Sequence, residues 1–313
     1  MRALITGVAG FIGSTLAERL LNDGADVVGL DCFTDFYPRP SKERNLAAAR
    51  RHPHFRFVES RIQDADLASL LADRTHVFHL AAQAGVRKSW GTDFGVYTSN
   101  NIEATQVLLE ACVPLTLERL VYASSSSVYG DTVPMPMRED ALPQPVSPYG
   151  VTKLAAEQLC YLYHVNYRVP AVSVRYFTVY GPRQRPDMGF HKFLRATLLR
   201  EPITVYGDGE QTRDFTFVHD AVSATIAAGV RGVPGRVYNI GGGSRVSVNR
   251  VLEMIGRVSG RTPLVTVDPA QKGDMRHTYA ETLLARTDLG FMPTVGLEEG
   301  LAAEYAWLAE LLG

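Results

Sequence analysis

A glycine-rich loop near the start of the chain limits what the protein can fold into. Gly7, Gly10 and Gly13 stand three residues apart, after the apolar run Arg2–Thr6 and at the head of a segment, 11–21, whose apolar residues have helical spacing. Such glycines allow a tight turn, a close approach of the backbone to a pyrophosphate, and packing of helix on strand. The free N–H groups at the start of the helix attract phosphate oxygens. This unit therefore predicts a dinucleotide-binding site.

Strands and helices alternate through the first half of the chain. We predict further strands at 25–30, 54–58, 76–80, 120–123 and 171–175, with long helices at 93–112 and 147–167. This alternation is typical of an α/β fold with a doubly wound parallel sheet, in which ligands bind beyond the carboxyl ends of the strands.

The pattern loosens after Arg175, where prolines and glycines interrupt it. Short strands at 203–206 and 237–240 alternate with helices at 218–230, 248–258 and 297–311. We expect a nucleotide-binding domain over residues 1–175, to which 218–240 can return. A smaller C-terminal α/β lobe, over 176–313, is expected to bind the substrate.

Composition excludes several partners. The chain has 313 residues and a net charge of −1, so no global charge attracts nucleic acid or an acidic membrane. No apolar run reaches the ~18 residues of a membrane helix, and no signal peptide is expected. Its three cysteines form no CxxC pair, which favours reduced thiols, a cytoplasmic location and no metal site. The basic stretch 39–56 is interpreted as a solvated face.

Asp31 ends the second predicted strand, 18 residues after Gly13. A carboxylate at this point can accept hydrogen bonds from both ribose hydroxyls and would repel a 2′-phosphate. This favours NAD over NADP as the cofactor. The alternative interpretation is an aspartate that only caps a turn or helix.

Tyr149 and Lys153 are one helical turn apart in the segment 147–153. A tyrosine with an unperturbed pKa near ~10 needs a shift of ~2–3 units to serve as a base near neutrality. Lys153 lies on the same helical face and can supply the positive field. A Tyr and a Lys at this spacing are also common in surface packing, so the pair alone is weak evidence.

Four serines, 124–127, follow the strand that ends at Ala123. Their hydroxyls can donate to or accept from a reacting sugar oxygen at the carboxyl end of the sheet. A polar turn that merely leaves the sheet is an equally good interpretation of the run alone.

Taken together, these motifs resemble the extended short-chain dehydrogenase/reductases, and more narrowly the nucleotide-sugar epimerases and dehydratases. The resemblance rests on the glycine loop, Asp31, the serines before Val128-Tyr129-Gly130, the Tyr149/Lys153 pair and Arg175-Tyr176-Phe177. It implies a Rossmann fold, tightly held NAD, a UDP-sugar in the cleft and a homodimer packed through 93–112 and 147–167. Ser125 takes the position of the catalytic Ser/Thr. The implied cofactor contacts are Gly7, Gly10, Phe11, Ile12, Gly13, Asp31, Ile62, Ala81, Tyr149 and Lys153.

The residues after Ser125 separate the subfamilies. The 4,6-dehydratases carry Asp-Glu there, and the decarboxylating glucuronate enzymes carry Glu immediately before the Val-Tyr-Gly. This chain has Ser126 and Ser127 instead. Deprotonation at C5 and elimination then lack a base, which leaves epimerisation.

Further positions resemble the UDP-glucuronate 4-epimerases. Thr178 replaces the usual Asn of the galactose enzymes, and Arg185 begins an Arg-Pro-Asp-Met segment. Arg185 can hold a C5 carboxylate by charge-assisted bonds, with Thr178 adding a hydroxyl, although a surface or phosphate-binding role is also open. Holding the carboxylate out of alignment with a C4 carbonyl prevents loss of CO2. The implied substrate contacts are Val86, Arg87, Ser125, Ser126, Thr178, Arg185, Tyr206, Arg213, Asp274 and Arg276.

One position departs from the family. Arg61 stands where an Asp often meets the adenine, and it cannot accept a hydrogen bond from the adenine amino group. Either the backbone serves there or Arg61 stacks on the ring.

The sequence therefore predicts an NAD-dependent UDP-glucuronate 4-epimerase that interconverts UDP-glucuronate and UDP-galacturonate. The enzymatic alternatives are a UDP-glucose/UDP-galactose 4-epimerase and a UDP-glucuronate decarboxylase. An NAD-sensing binding protein without catalysis is the alternative from another class.

Overall fold

The computed structural model describes residues 1–269 and 275–313. Asp274, one of the predicted substrate contacts, lies outside these residues. Within the described ranges the strands are β1 (Arg2–Thr6), β2 (Asp26–Asp31), β3 (Phe55–Glu59), β4 (His76–His79), β5 (Arg119–Ser125), β6 (Ala171–Tyr176), β7 (Val179–Tyr180), β8 (Pro202–Tyr206), β9 (Thr212–Asp214), β10 (Thr216–Phe217), β11 (Val237–Ile240), β12 (Arg245–Ser247) and β13 (Leu264–Asp268).

The α-helices alternate with the strands in the first half of the chain and less regularly in the second half. They are α1 (Phe11–Asn22), α2 (Arg39–Leu46), α3 (Leu67–Leu71), α4 (Phe94–Tyr97), α5 (Ala104–Cys112), α6 (Pro148–Tyr167), α7 (Gly189–Leu199), α8 (Val218–Arg231), α9 (Val248–Ser259), α10 (Leu283–Leu289) and α11 (Leu297–Leu312).

A large parallel sheet forms the centre of the protein. Its order is β11-β6-β5-β4-β1-β2-β3, and every neighbouring pair is parallel. The chain winds outward from β1 in one direction to β3 and in the other from β4 to β6. The order reverses between β1 and β4, and this switch point is where ligands bind in such sheets. The predicted fold class is thereby confirmed.

Helices cover both faces of the sheet with apolar side chains. On one face, Leu16 and Leu20 of α1 pack with Ala224 and Ala228 of α8 in a buried cluster. On the other face, α5 and α6 cover the sheet with buried residues such as Leu108, Leu109, Ala156 and Cys160. Burial of both faces explains why the strands read as continuous apolar runs in the sequence.

The predicted helical segment 93–112 is confirmed, but its centre is not regular α-helix. The structure has α4, a π-helical segment over Thr98–Glu103, and then α5. The buried Asn101 lies in this segment and bonds to both the N–H and the C=O of Gln83, at 2.7 and 3.1 Å. Its Nδ2 also donates to Thr152 Oγ1 of α6. The wider turn thus lets one side chain fasten the loop after β4 to the helix that carries Tyr149.

The C-terminal part of the chain does not stay apart from the sheet. β11 pairs with β6 and forms an edge of the sheet, and α8 packs against α1. The other C-terminal elements form a smaller layer around a cluster that includes Phe190, Leu194 and Leu301. The division of the chain at residue 175 stays a prediction.

Among the residues described, no helix combines the length and apolar character needed to cross a membrane.

Candidate active site

A deep cleft opens at the switch point between β1 and β4. Gly7 follows β1 with φ +72°, and a Cβ there would lie 2.6 Å from the backbone N of Ala81, just beyond β4. A Cβ on Gly13 would lie 2.2 Å from the carbonyl oxygen of Gly7. Side chains at these positions would force the loop and helix apart. The glycines therefore let α1 start against the loop, with its N-terminus at the cleft, which is what a bound pyrophosphate requires.

The residues predicted to hold the cofactor come together in this cleft. Every one of them lines it: Gly7, Gly10, Phe11, Ile12, Gly13, Asp31, Ile62, Ala81, Tyr149 and Lys153. The lining fits a dinucleotide, because a phosphate-binding loop, the carboxylate of Asp31 and the Tyr149/Lys153 pair share one cleft. Individual contacts to the cofactor remain predictions.

Asp31 lies at the end of β2, where it organises the loop after β1. Its Oδ2 accepts a hydrogen bond from Ala9 N at 3.0 Å, and its Oδ1 accepts one from Phe33 N at 2.8 Å. Burial raises the pKa of Asp31, while the bond from Phe33 and the charge of Lys42 oppose the rise. The side chain serves as a turn cap, which was the alternative interpretation, and still lines the cleft.

Lys42 is the exception to the interpretation of the basic stretch 39–56 as a solvated face, because the five arginines of the stretch are exposed. It is 4% exposed, donates from Nζ to the carbonyl oxygen of Thr34, and lies over the ring of Tyr37 at 4.6 Å. It also lines the cleft beside Asp31. A burial of this kind depends on the tertiary contacts of the loop after β2, which the local sequence does not show.

Arg61 also lines the cleft, as expected for the adenine end of the site. Its Nη2 donates to Ser99 Oγ at 3.1 Å, and the neighbouring Gln63 donates from Nε2 to the carbonyl oxygen of Ser99 at 2.9 Å. Arg61 is thus tied to the π-helical segment.

Tyr149 lies in the first turn of α6 and lines the same cleft. Ser147 Oγ caps this helix by accepting from Gly150 N at 3.1 Å, and Pro148 occupies the first helical position. Burial raises the pKa of Tyr149, while the charge of Arg185 and a hydrogen bond with Ser125 lower it. The serine and the tyrosine are therefore in contact, as a proton relay requires.

Lys153 lines the cleft in a buried position, and its predicted role as the activating charge stays a prediction. It is 3% exposed and lies over the ring of Tyr122 at 4.5 Å, and burial lowers its pKa to about 7. The cation that lowers the pKa of Tyr149 in this structure is Arg185. Sequence spacing places Lys153 on the correct face but does not reveal the cost of burying its charge.

Sequence reasoning missed a buried network behind the catalytic pair. Glu157 and Arg175 form two hydrogen bonds, Nη2 to Oε1 at 2.6 Å and Nε to Oε2 at 3.0 Å, with side chains 2% and 3% exposed. Ser124 Oγ donates to Glu157 Oε2 at 2.6 Å. Glu157 follows Lys153 by one helical turn, and this spacing was the available signal.

Arg185 reaches the cleft from the segment between β7 and α7. Its Nε and Nη2 bind the two oxygens of Asp187 at 2.9 and 3.0 Å, and its guanidinium lies 5.7 Å from the ring of Phe36. The sequence analysis did not anticipate Asp187 as its partner. The ion pair engages only one edge of the guanidinium, so the N–H groups of Nη1 can still reach a bound anion.

Four of the other predicted substrate residues contact one another in pairs, and three more lie away from the lining of the cleft. Arg87 lies over the ring of Tyr206 at 4.5 Å. Arg213 Nη1 donates to the carbonyl oxygen of Arg276 at 3.0 Å, and the Arg276 guanidinium pairs with Asp208. Val86, Ser126 and Thr178 are half-buried or buried, and they are not among the residues that line the cleft.

The part of the chain that the structure describes contains no set of side chains that could bind a metal ion. No three or more His, Cys, Asp or Glu side chains gather there in a way that could hold an ion.

A doubly wound sheet, a glycine loop at its switch point and a buried Tyr–Lys pair define a dinucleotide-dependent enzyme that moves hydride and proton at an alcohol carbon. The chain belongs to the NAD dependent epimerase/dehydratase family, whose model matches residues 3–241. The resemblance recognised from the motifs, the assignment as an enzyme and NAD as cofactor are thereby confirmed.

Similar proteins cover the chain from end to end. A relative from Bacillus subtilis (strain 168), named uncharacterized UDP-glucose epimerase YtcB, is 43% identical over 315 residues and spans 99% of both chains. A probable UDP-glucuronate 4-epimerase from Rhizobium meliloti (strain 1021) is 36% identical over 98% of this chain and 96% of its own. The crystal structure of UDP-glucuronic acid 4-epimerase from Bacillus cereus, in complex with UDP-glucuronic acid and NAD, has a TM-score of 0.97 at 44% identity. That match covers 99% of this chain and 100% of that chain.

Because Lys153 is buried, we expect it to lower the stability of the folded protein although catalysis requires it. Its pKa falls from 10.5 to about 7 on folding, so the unfolded chain binds an extra proton between these pH values and stability rises with pH across that window. We expect Lys153→Met to raise the free energy of unfolding of cofactor-free protein by roughly 1–3 kcal/mol at pH 6. The gain should shrink at pH 9, while turnover is lost at both.

Urea denaturation at the two pH values measures this difference. Lys192→Met, at an exposed position of α7, is the matched control and should change stability little at either pH. A loss of stability in Lys153→Met that is equal at pH 6 and pH 9 would show that the buried ammonium is fully compensated.

Proposed function

We propose that the protein is a UDP-glucuronate 4-epimerase that interconverts UDP-glucuronate and UDP-galacturonate. The observation that carries this proposal is that Tyr149 and Arg185 both line the cofactor cleft, where Ser125 forms a hydrogen bond with Tyr149. A phenol and a hydroxyl can transfer a proton, and a guanidinium beside them can bind the acid group of the sugar. The relatives named as UDP-glucuronate 4-epimerases support the same substrate.

Tyr149 acts on the hydroxyl at C4 of the sugar. As a phenolate it takes the hydroxyl proton, while Ser125 holds the sugar oxygen and relays the proton. Lys153 holds the phenolate and the nicotinamide ribose. NAD, when bound, accepts the C4 hydrogen as hydride and returns it, so the reaction has no net redox change. The 4-keto sugar turns over in the cleft between the two transfers, which inverts C4.

Arg185 and Thr178 are assigned to the C5 carboxylate. Oxidation at C4 produces a β-keto acid, in which the C5–carboxylate bond can break to release CO2 and leave its electron pair in an enolate. The enolate then takes a proton, and the product after reduction is a UDP-pentose. Charge-assisted bonds from Arg185 hold the carboxylate out of alignment with the carbonyl and suppress this loss.

The serines near Tyr149 argue against the elimination chemistries. Ser126 and Ser127 stand where related enzymes carry carboxylates, and Ser126 is 7% exposed. Glu157, a carboxylate behind this region, is already bound by Arg175 and Ser124. These positions therefore offer hydroxyls and no free carboxylate. A hydroxyl is too weak a base to remove the proton at C5.

A second arrangement is assigned to the uridine diphosphate. Arg213, with Arg276 beside it, is placed to bind the diphosphate by charge-assisted bonds. Tyr206, against which Arg87 packs, is the candidate for the uracil. Asp274, outside the described residues, remains the candidate for the uridine ribose.

The second candidate function is a UDP-glucose/UDP-galactose 4-epimerase. It is favoured by the pairing of Arg185 with Asp187, since a guanidinium whose charge is balanced does not require an acidic sugar. The name of the Bacillus subtilis relative points the same way.

We also propose that the protein is a homodimer that works in the cytoplasm. Large apolar side chains are exposed along α6, among them Tyr161, Leu162 and Val165 at 56%, 49% and 57%. Trp90 and Phe94, before and at the start of α4, are exposed as well. A second copy packed against α6 would cover such a face. The cysteines are free thiols, which suits a reducing compartment.

Tyr149→Phe tests the proposed base. Removing the phenol should reduce turnover of UDP-glucuronate to UDP-galacturonate by ~10²- to 10⁴-fold. Bound NAD should stay at the wild-type level, because the ring and the cleft remain. Separation of the nucleotide sugars by chromatography measures the products, and Tyr305→Phe, on α11, is the control. Turnover near that of the control would remove Tyr149 from the mechanism.

Arg185→Ala separates the two candidate functions. Loss of one set of charge-assisted bonds should lower kcat/KM for UDP-glucuronate by ~10- to 100-fold and raise the share of UDP-pentose among the products. Any activity on UDP-galactose should fall less, because a neutral sugar loses only the effect of Arg185 on the pKa of Tyr149 and no bond to the substrate. The exposed Arg195→Ala, on α7, is the control. Equal activity on neutral and acidic sugars, lowered to the same extent by Arg185→Ala, would favour the galactose enzyme.

Val165→Glu tests the dimer. A charge in the middle of the apolar face of α6 should shift the protein toward monomer in sedimentation velocity. Val230→Glu on α8, a valine of 59% exposure away from that face, should leave the assembly unchanged. Wild-type protein that sediments as a monomer would contradict the proposal.

A further inference from the structure

The segment 181–188, which joins β7 to α7 and carries Arg185, is held by contacts with α11, α7 and α1. At its start, Gly181 N donates to Glu304 Oε2 of α11 at 2.8 Å. Gly181 has φ +130°, and a Cβ there would lie 2.9 Å from Val218 Cγ1. The entry to the segment is thus fixed by a buried carboxyl and by a close approach that only glycine permits.

Gln184 fixes the middle of the segment. Its side chain donates to the carbonyl oxygen of Val179 at 3.1 Å and accepts from His191 N at 2.8 Å. Its own carbonyl oxygen meets His191 Nδ1 at 2.9 Å. Gln184 is 2% exposed, so the residue immediately before Arg185 has little freedom to move.

Arg183 links this segment to the cofactor helix. Its Nη2 donates to both oxygens of Glu18 on α1, at 2.8 and 2.9 Å, and its Nη1 lies 3.5 Å from Ser14 Oγ. Its backbone has φ +72°, a left-handed conformation that a non-glycine residue adopts only when its surroundings hold it there. The ion pair with Glu18 supplies such a constraint.

Glu18 and the glycine loop belong to the same short helix. α1 begins at Phe11, which lines the cofactor cleft, and Glu18 lies two turns further along. Arg185 lies two residues after Arg183. A rigid connection therefore runs from the phosphate-binding end of α1, through Glu18 and Arg183, to the guanidinium beside Tyr149.

We propose that Glu18 and Arg183 are positioning residues, whose ion pair sets the place of Arg185 relative to the bound cofactor and thereby the orientation of the substrate's carboxylate. The proposal rests on the proposed function, in which Arg185 binds that carboxylate. Neither residue touches the reacting atoms. Their loss should let the segment relax from its left-handed turn and let Arg185 move, without removing any group from the site.

Glu18→Gln in the NAD-loaded protein tests the proposal. We expect KM for UDP-glucuronate to rise roughly tenfold with a smaller change in kcat, because a displaced guanidinium binds the acid group poorly. The share of UDP-pentose among the products should rise above that of the wild type. Bound NAD and thermal stability should stay close to wild type.

Asp23→Asn is the matched control. Asp23 pairs with Arg19 at the exposed end of the same helix, so this change also converts a carboxylate to an amide in an ion pair of α1. It should leave KM and the product mixture unchanged. Arg183→Lys keeps a positive charge but loses the two-point contact with Glu18. Its KM should lie between those of the wild type and Glu18→Gln.

The double variant Glu18→Gln/Arg183→Gly, compared with its two single variants, tests whether Glu18 and Arg183 act through their ion pair or independently of each other. If the residues act through one ion pair, the double variant should match the more affected single variant. Two results would overturn the positioning role. One is a KM and a product mixture in Glu18→Gln equal to those of Asp23→Asn. The other is a loss of bound NAD and of stability in Glu18→Gln as large as its loss of activity. Failure of the proposed function is distinct, since wild-type protein would then yield no UDP-galacturonate from UDP-glucuronate.

Discussion

The geometry of the site depends on the buried ion pair between Glu157 and Arg175. Glu157 lies on α6 and Arg175 on β6, and Ser124 at the end of β5 donates to the same carboxylate. The pair therefore joins the helix that carries Tyr149 to the strand end that carries Ser125. Removing one partner of such a pair costs about 3–5 kcal/mol, because the other charge is left buried alone.

An apolar contact of the same volume would stabilise the fold about as well as this ion pair. What the pair adds is a defined register between helix and strand, since two parallel hydrogen bonds tolerate little sliding. It also adds a negative charge one turn from Lys153. Burial lowers the pKa of Lys153, and Cys160 and Glu157 oppose that shift. The same carboxylate thus fixes the helix and keeps part of the lysine charge available near neutral pH.

The sequence predicted the features that depend on local pattern. The glycine loop, Asp31 at the end of β2 and the helix that begins after Ser147 all follow from spacing over a few residues, and each lies where it was expected. The π-helical segment around Asn101 was missed, because its cause is a contact with Gln83 across the fold.

Other features were missed for a similar reason. The burial of Lys42 and the true neighbours of Lys153 depend on how loops fold over the cleft. A sequence shows which groups can titrate, but the cost of burying them appears only when the surrounding residues are in place. The predicted role of Lys153 in lowering the pKa of Tyr149 stays a prediction, whereas its place on the helix, at the cleft, is as expected.

The charges around Tyr149 bear on which sugar the cleft accepts. Arg185 is the cation that favours the phenolate, and Asp187 balances that cation while raising the pKa of the same phenol. A carboxylate brought in by the sugar would add a second anion beside the guanidinium, and it can bind the Nη1 edge that Asp187 leaves open. A neutral sugar would make no such bond, so the pairing with Asp187 would persist unaltered. The balancing charge of Asp187 therefore favours a neutral sugar, whereas the open Nη1 edge favours an acidic one. A direct bond from Nη1 to the sugar carboxylate is available only to the acidic sugar, which is why the proposed substrate is UDP-glucuronate.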